Sequence, residues 1–476
     1  MDAVIATKKL GYRYLWVDRY CIDQSDENDQ HNQIKQMDLI YSHAKVTIIA
    51  AAGKDPSYGL PGVSRNSFEK VYTEPLNSNW ALKTELPPLF SCFITSNWFL
   101  RAWTLQEGIL SKRKLCFTDY GVLFLCNSNT TGNTCLECES FKDHAKKYKQ
   151  LSIPMESAMN GIIPNNILEA QTSEEKLSII KVFLDAYSQR ELTYESDSLN
   201  ALLGAFNFIR RRDPPVYHLW GVAFTKDTFL SSSDTQNEVM ISLDWFPKRK
   251  VSRRPEFPSW STLGWRGAIG YWDGHHIKLS HDFSIRYWDR GTYRHLDETF
   301  HEPEYAIRTN ETPQSQVLEI TAHVMDLTVY EEKSLTHSLY YVKFPFLKLI
   351  PDLVRRDYQL DIPVDEANTL LRWNDCTGLS HRPSILCCTT RYRDIDHNDF
   401  SKELASRLLL LFFRKVGDDY ERIAMWSPYT EIYLGVELDD EKRPFYFEDG
   451  VREGWLSVDL DAYALAFAER RTFHVR

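Results

Sequence analysis

The chain has 476 residues, which is long enough to bury a core without disulfides. Its residues are 43% hydrophobic and 26% charged, as is usual for globular proteins. Its 56 basic and 66 acidic residues give a formal net charge of −10, and this field disfavours general binding to phosphate backbones. The start lacks the apolar core of a secretory signal, and no apolar stretch approaches the roughly 20 residues of a membrane-spanning helix. Cytosol or nucleus is therefore the expected location.

The first 126 residues predict alternating helices and strands. A helix is expected over Asp2 to Leu10, a strand over Tyr12 to Asp18, and a helix from the cap at Ser25 or Asp26 to about Ala44. An apolar strand follows at Val46 to Ala52. Because one helix joins the two strands, they should be parallel neighbours in one sheet.

The segment that completes this region predicts one longer helix and two short strands. Ser96 should cap a helix over Asn97 to Leu110, and the strands Lys114 to Phe117 and Val122 to Cys126 should flank a turn. The expected fold is α/β, with a flavodoxin-like parallel sheet and flanking helices over residues 1–126.

The rest of the chain changes character twice. Residues 127–215 should form a helical linker region with a helical hairpin, whose first helix starts at a capping box of Thr172 and Glu175. Residues 216–476 alternate in short runs and predict a β-rich α+β region. Short basic runs, such as Arg210 to Arg212, are interpreted as solvated faces, so no nucleic-acid partner is expected.

Two short segments concentrate residues that could carry chemistry. The first includes Trp16, Asp18 and Asp23, at and beyond the carboxyl end of a predicted strand, where open α/β sheets bind ligands. The second includes Trp103 and Glu107, four residues apart on a predicted helix and hence on one face.

Three sequence blocks resemble, in order, the HET (heterokaryon incompatibility) domain of filamentous fungi. They are YLWVDRYCIDQ, then MDLIYSHAKVTIIAAAG with a later GLPGVS, and finally RAWTLQEGILSKRKLCF, spanning about residues 1–126. The resemblance implies a role in non-self recognition and programmed cell death, and a fold related to the TIR fold. Family members carry an earlier block close to Y-x-x-L-S-Y-x-W-G, so the resemblance also implies an N-terminally truncated domain that lacks its first strand.

The relation to TIR enzymes implies a chemistry for this site. Those enzymes cleave NAD, and bacterial members place the catalytic glutamate in a W-x-x-x-E motif, which Trp103 and Glu107 match. The resemblance thus implies Glu107 as the catalytic carboxylate, Asp18 or Asp23 positioning a water or a ribose hydroxyl, and Trp103, Trp16 and Arg101 binding the nucleotide. NAD would be the substrate, and no cofactor would be required.

Structural interpretations of the same residues remain open. Trp103 can belong to the core, Glu107 can pair with Arg101 or Arg113, and Asp18 can cap the following loop. Cys21 is expected to be a buried thiol. Cys126, Cys135, Cys138 and His144 include one C-x-x-C spacing, too little to predict zinc.

Two classes of function therefore follow from the sequence. One is an NAD glycohydrolase that acts in incompatibility or cell death. The other is a signalling module that acts by self-association or with another incompatibility protein, or an inactive truncated remnant.

Overall fold

The computed structural model shows two compact units, Met1–Val216 and Tyr217–Arg476. It describes the chain over 1–23, 25–64, 68, 72–76, 80–84, 86–126, 170, 172–226, 239–248, 251–271, 275–279, 282–302, 313–333, 338–342, 384–395, 403–426, 431–435, 437–438, 444–445, 455–459 and 468–476. Cys135, Cys138 and His144 lie outside these residues.

The first unit combines short helices with a small sheet. Its helices are α1 Asp2–Lys9, α2 Asp18–Cys21, α3 Glu27–Lys35, α4 Met37–His43, α5 Leu89–Ile94, α6 Asn97–Leu100, α7 Thr104–Leu110, α8 Ser173–Ser188 and α9 Asn200–Arg210. Its strands are β1 Thr47–Ala50, β2 Thr73–Pro75, β3 Ala81–Lys83, β4 Arg113–Phe117 and β5 Val122–Cys126.

The sheet of this unit has the order β1-β4-β5. Strand β1 runs parallel to β4, with Ile49 opposite Cys116, and β4 pairs with β5 in the antiparallel sense. One buried cluster joins Ile49 and Cys116 to Phe93 and Ile94 of α5. The described residues therefore form a mixed α/β unit, as predicted, although one of the two strand pairs is antiparallel.

The predicted strand at Tyr12 to Asp18 is wrong. Val17 is extended, with φ −139° and ψ 122°, but the segment belongs to no sheet among the described residues. Tyr14 is 84% exposed, and Asp18 already begins the short helix α2. Cys21, at the end of that helix, is exposed and not buried as expected. Alternating aromatic residues favour an extended backbone, but a strand also requires a partner with free backbone groups.

Two helices predicted as continuous are each divided. The backbone leaves the helical conformation at Gln36, between α3 and α4, with φ −105° and ψ 7°. It becomes extended at Arg101, between α6 and α7, with φ −79° and ψ 136°. The predicted caps are confirmed: Asp26 accepts from the backbone of Asn28, and Ser96 accepts from that of Phe99.

The two helices of the predicted hairpin are observed as α8 and α9. Thr172 Oγ1 accepts a hydrogen bond from Glu175 N, and Glu175 Oε2 accepts one from Thr172 N, each at 3.1 Å. This reciprocal pair satisfies two amide donors at the start of α8. Helix α9 packs against α3, α4 and α7, which places the hairpin against the helices of the first unit.

The second unit is rich in strands, as predicted. They are β6 Val216–Leu219, β7 Val222–Lys226, β8 Val239–Ile241, β9 Trp245–Pro247, β10 Ser252–Arg253, β11 Trp265–Arg266, β12 Ile269–Tyr271, β13 His275–Lys278, β14 Ser284–Asp289, β15 Thr292–His295, β16 Leu318–Lys333, β17 Ser338–Val342, β18 Ser384–Ile395, β19 Glu403–Val416, β20 Asp419–Trp426, β21 Glu431–Gly435, β22 Glu437–Leu438, β23 Pro444–Phe445, β24 Trp455–Asp459 and β25 Glu469–Val475. Its large sheet has the order β15-β14-β16-β25-β20-β19-β18-β13-β8-β7-β6, and β17 pairs with β16.

Tryptophan and arginine pack together in the core of the second unit. Trp245 is 1% exposed and donates from Nε1 to the carbonyl oxygen of Trp260 at 2.9 Å. The guanidinium of Arg422 lies 4.0 Å from the centre of the Trp245 ring and donates to the Trp245 carbonyl at 2.8 Å. Trp245 and Trp260 are thus used in core packing.

Candidate functional site

Glu107 lies in α7 and is held by two hydrogen-bond donors. Trp98 Nε1 donates to Glu107 Oε2 at 3.2 Å, and the Tyr41 hydroxyl also donates to this carboxylate. The carboxylate is only partly exposed, whereas its neighbours Gln106 and Gly108 are buried. Two donors from different elements fix the side chain more tightly than an exposed helical glutamate would be fixed.

Trp98 is itself oriented by the core. Its ring stacks on Phe93, with the ring centres 5.4 Å apart and the planes at 28°, and Phe93 is fully buried. The Ser96 cap fixes the start of the short helix α6 that carries Trp98. The donor to Glu107 is therefore set by packing and by a local cap.

A buried arginine from the helical hairpin completes the surroundings of Glu107. Arg190, just beyond α8, donates from Nη1 to Thr104 Oγ1 at 3.2 Å and to the Arg101 carbonyl at 3.3 Å. Its guanidinium lies 4.5 Å from the centre of the Phe99 ring. The site thus combines residues from α4, α6 and α7 with a cation that follows α8.

The surroundings shift the ionisation of Glu107 strongly. The pKa of Glu107 is raised to about 7. Burial is the main cause and the nearby charge of Asp18 adds to it, whereas the Trp98 bond, the Arg101 charge and the Tyr41 bond oppose the rise. Burial also lowers the pKa of Arg190 to about 9, and the Glu107 charge counteracts that fall. A carboxyl group that titrates near neutral pH is typical of functional sites.

The structure brings Asp18 and Trp16 to the Glu107 surroundings. The Asp18 charge raises the pKa of both Glu107 and Tyr41. Trp16 meets the Tyr41 ring edge to face, with the centres 5.8 Å apart. Trp16 therefore reaches Glu107 through the tyrosine that donates to it.

Asp23 and Trp103 make other contacts. Asp23 Oδ1 accepts from Ser25 N at 2.9 Å and from Ser25 Oγ at 2.6 Å, and these bonds lower the pKa of Asp23. Trp103 donates from Nε1 to Asp197 Oδ2 at 3.2 Å. The tryptophan that bonds to Glu107 is Trp98, nine residues before it, and not the tryptophan of the W-x-x-x-E pattern.

Arg101 contributes through its charge and its backbone. Its side chain is exposed, yet its charge lowers the pKa of Glu107. Its carbonyl accepts from Arg190 and from Thr104 Oγ1, the latter at 2.7 Å.

Sequence reasoning missed Trp98, Tyr41 and Arg190. Tyr41 falls within the helix predicted to run to about Ala44, but the sequence carries no signal for its bond to Glu107. Trp98 and Glu107 lie on different helices, because the chain is extended at Arg101, so no helical periodicity links them in the sequence. Arg190 follows α8, and its contact with Thr104 spans 86 residues, for which the local sequence carries no signal.

Comparison with protein families identifies the N-terminal part of the first unit. Residues 1–107 match the family described as heterokaryon incompatibility protein (HET). The chain carries a HET domain. The matched region ends at Glu107 and includes Trp16, Asp18, Tyr41 and Trp98. Neither the curated proteins nor the solved structures contain a match to the chain.

Two further observations concern metal binding and membrane insertion. Among the described residues, no group of three or more His, Cys, Asp or Glu side chains is arranged to hold a metal ion. None of the helices in the described part of the chain has the length and apolar character that a membrane span requires.

Proposed function

We propose that this HET-domain protein acts in fungal heterokaryon incompatibility and programmed cell death, and that its HET domain is a TIR-related NAD glycohydrolase. The match of residues 1–107 to the HET family supports the biological role. The observation that carries the enzymatic part is Glu107, a carboxylate held by Trp98 and Tyr41 whose pKa is about 7. The proposed setting is the cytoplasm.

The proposed reaction breaks the bond between C1′ of the ribose and the nicotinamide nitrogen of NAD. The bonding electron pair leaves with nicotinamide, which becomes neutral, so no general acid is needed. The ribosyl cation that remains is captured by water, which loses a proton to solvent, and the products are nicotinamide and ADP-ribose. The ionised form of Glu107 stabilises the developing positive charge, as preorganised groups of opposite charge do in other enzymes.

The neighbouring residues have distinct proposed roles. Trp98 and Tyr41 orient the carboxylate, and Asp18 positions the water or a ribose hydroxyl. Trp16, beside Tyr41, supplies an aromatic face for a flat ring of the substrate. Asp23 and Trp103 are given no direct role, because their hydrogen bonds are to Ser25 and Asp197.

Nicotinamide release by the purified full chain tests this proposal. We expect release from NAD, and we expect NAD to fall in cells that express the chain before those cells die. Cell death with no loss of NAD, and no release by folded protein, would contradict the enzymatic mechanism.

A second mechanism, non-enzymatic signalling by self-association, is favoured by a different observation. The hairpin of β2 and β3 exposes four large apolar side chains, each 60% or more exposed, namely Tyr72, Leu76, Trp80 and Leu82. Large exposed apolar groups concentrated on one short element are typical of interaction surfaces. A second copy of the chain is the proposed partner.

Sedimentation equilibrium separates this mechanism from the enzymatic one. Leu76→Glu and Leu82→Glu place charges on exposed positions and should leave the fold intact. If self-association is the mechanism, both variants lose the oligomer and the cell-death response together. Loss of the oligomer with full cell death would exclude it.

A further inference from the structure

Arg190 stands out as a buried cation that lies outside the matched HET region. It is 8% exposed, and its Nε has no hydrogen-bond partner in the described structure. The charge of Glu107 raises the pKa of Arg190 against the effect of burial. Because such a coupling is reciprocal, the charge of Arg190 acts on Glu107 in turn. Burying a guanidinium costs folding free energy unless an opposite charge and hydrogen bonds compensate for the lost water. A buried arginine at this position is therefore expected to have a specific role.

The backbone next to Arg190 also holds the segment that carries Glu107. Glu191 N donates to the Leu100 carbonyl at 2.7 Å, and Ala102 N donates to the Glu191 carbonyl at 2.8 Å. These bonds form a parallel bridge between Arg101 and Glu191, where α6 ends and α7 has not begun. The angle between the helices that carry Trp98 and Glu107 is therefore fixed in part by the hairpin.

The two groups of contacts act at the same point. The side chain of Arg190 bonds to Thr104 Oγ1 and to the Arg101 carbonyl, and the backbone of Glu191 pairs with the same turn. Thr104 is the first residue of α7, so Arg190 holds the start of the helix that presents Glu107.

We propose that Arg190 is a positioning residue for Glu107, so that the helical hairpin is part of the catalytic unit and not a linker. The inference rests on the proposed NAD cleavage. In this role the guanidinium fixes the start of α7 and favours the ionised carboxylate, without touching the substrate. Residues beyond the family match would then be required for activity.

The test measures the ionisation of Glu107 and the pH profile of nicotinamide release in the same proteins. Asp18, Tyr41 and Arg101 are the charged and titratable groups that shift the pKa of Glu107, and Glu107 in turn raises the pKa of Arg190. Only Arg190 is changed. The infrared carboxyl band of Glu107 is identified by its absence in Glu107→Gln, and its titration needs no activity. Full-length protein is used throughout.

In Arg190→Met the positive charge is lost, and we expect the titration midpoint of Glu107 to rise by about 1 pH unit. The lower limb of the kcat/KM profile should move with it. At pH 7 we expect kcat to fall by roughly tenfold or more, with KM changed less than about twofold, because the residue acts through Glu107. Arg190→Lys, which retains a charge, should restore the wild-type midpoint in large part.

Arg212 provides a matched control on the same hairpin. Its guanidinium lies 4.4 Å from the centre of the Phe208 ring, comparable with Arg190 over Phe99 at 4.5 Å. Arg212→Met removes an equivalent arginine–aromatic contact, and we expect it to leave the Glu107 midpoint unchanged. If Arg190→Met precipitates, Arg190→Gln takes its place, since it removes the charge and retains a donor.

The outcomes separate the two proposals. A wild-type chain that releases no nicotinamide contradicts NAD cleavage, while the infrared midpoint still tests the action of Arg190 on Glu107. Wild-type release together with unchanged profiles and midpoints in folded Arg190→Met and Arg190→Gln overturns the positioning role alone. An equal shift of the Glu107 midpoint in Arg212→Met also overturns the positioning role. The shift would then follow from any loss of an arginine–aromatic contact in the hairpin and not from Arg190 in particular.

Discussion

Glu107 is placed between forces that oppose each other. Burial and the Asp18 charge favour its neutral form, whereas the Trp98 and Tyr41 bonds and the Arg101 charge favour the ionised form. Burial has the largest effect, so the pKa of Glu107 rises to about 7 and the carboxylate is only partly ionised at neutral pH. We therefore expect NAD cleavage to increase as pH rises through about 7.

The same shift predicts how Glu107→Gln changes stability. A carboxyl whose pKa is raised on folding binds more protons in the folded state, so its ionisation costs stability as pH rises from about 4.5 to about 7. Glutamine keeps an acceptor for Trp98 and Tyr41 but never ionises. We expect the variant to be more stable than wild type by about 1–3 kcal/mol at pH 8, with the difference vanishing near pH 4.5.

Urea denaturation at several pH values measures this difference. Glu191→Gln is the control, because Glu191 has an exposed side chain on the neighbouring segment. A wild-type chain that is as stable as Glu107→Gln at pH 8 would show that Glu107 is not held in a desolvated site.

The two nearby tryptophans should differ in their effect on Glu107. Trp98→Phe retains the stacking on Phe93 but removes the donor to Glu107, so we expect the infrared midpoint of Glu107 to rise. Trp103→Phe removes a bond to Asp197 and should leave that midpoint in place. A larger shift in Trp103→Phe would support the W-x-x-x-E pairing and contradict the observed geometry.

At this scale the sequence indicated the glutamate but not its partners. Glu107, Asp18 and Trp16 are candidates from the sequence, and they lie in or beside one cluster. The pairing of Trp103 with Glu107 assumed an unbroken helix, in which residues four apart share a face. Trp98 bonds to Glu107 across the extended backbone at Arg101, and this residue is bridged to Glu191, 90 residues later in the chain.

Among the secondary-structure elements, the crossing of α9 over α4 and α7 depends on one glycine. A Cβ atom on Gly204 would clash with Gln106 Oε1 and lie 3.4 Å from the backbone nitrogen of Asp38. Gln106 is 1% exposed and cannot move into solvent. Although alanine is the better helix former, we expect Gly204→Ala to lower the unfolding free energy by about 1–3 kcal/mol through overpacking.

A double-mutant cycle tests the stated cause. Gln106→Ala removes the atom that the new Cβ would meet, so the cost of Gly204→Ala should largely disappear in that background. Measured by urea denaturation, an undiminished cost would show that the destabilisation arises elsewhere in the helix crossing.

Local signals predicted the elements that local chemistry determines. The capping box of Thr172 and Glu175 and the caps at Asp26 and Ser96 all form as predicted. The strand prediction for Tyr12 to Asp18 was wrong because strand formation depends on a partner strand. The aromatic residues of this segment specify only a preference for an extended backbone. The break between α3 and α4 at Gln36 likewise could not be predicted, because no glycine or proline lies near it in the sequence.

At the scale of the whole molecule, the chain divides after Val216. Glu107, Trp98, Tyr41 and Arg190 all lie in the first unit. We expect a fragment of residues 1–215 to fold and to release nicotinamide at a rate within about threefold of the full chain, since each domain has its own core. A folded fragment without activity, beside an active full chain, would show that the second unit takes part in catalysis.

The strand-rich character of the second unit could be predicted, but its pairing could not. Strand β16 pairs with β14, β17, β18 and β25, and β25 lies more than 130 residues later in the chain. Alternation of polar and apolar residues indicates a strand and its faces, while the choice of partner depends on the packing of the entire sheet.

The most direct test of the account is nicotinamide release from NAD at pH 8 by wild type, Glu107→Gln and Glu191→Gln, each confirmed to be folded at the assay temperature. If Glu107 is the catalytic carboxylate, wild type and Glu191→Gln release nicotinamide. Release falls by roughly 10²-fold or more in Glu107→Gln, because the charge that stabilises the ribosyl cation is removed. Equal release by wild type and Glu107→Gln would contradict it.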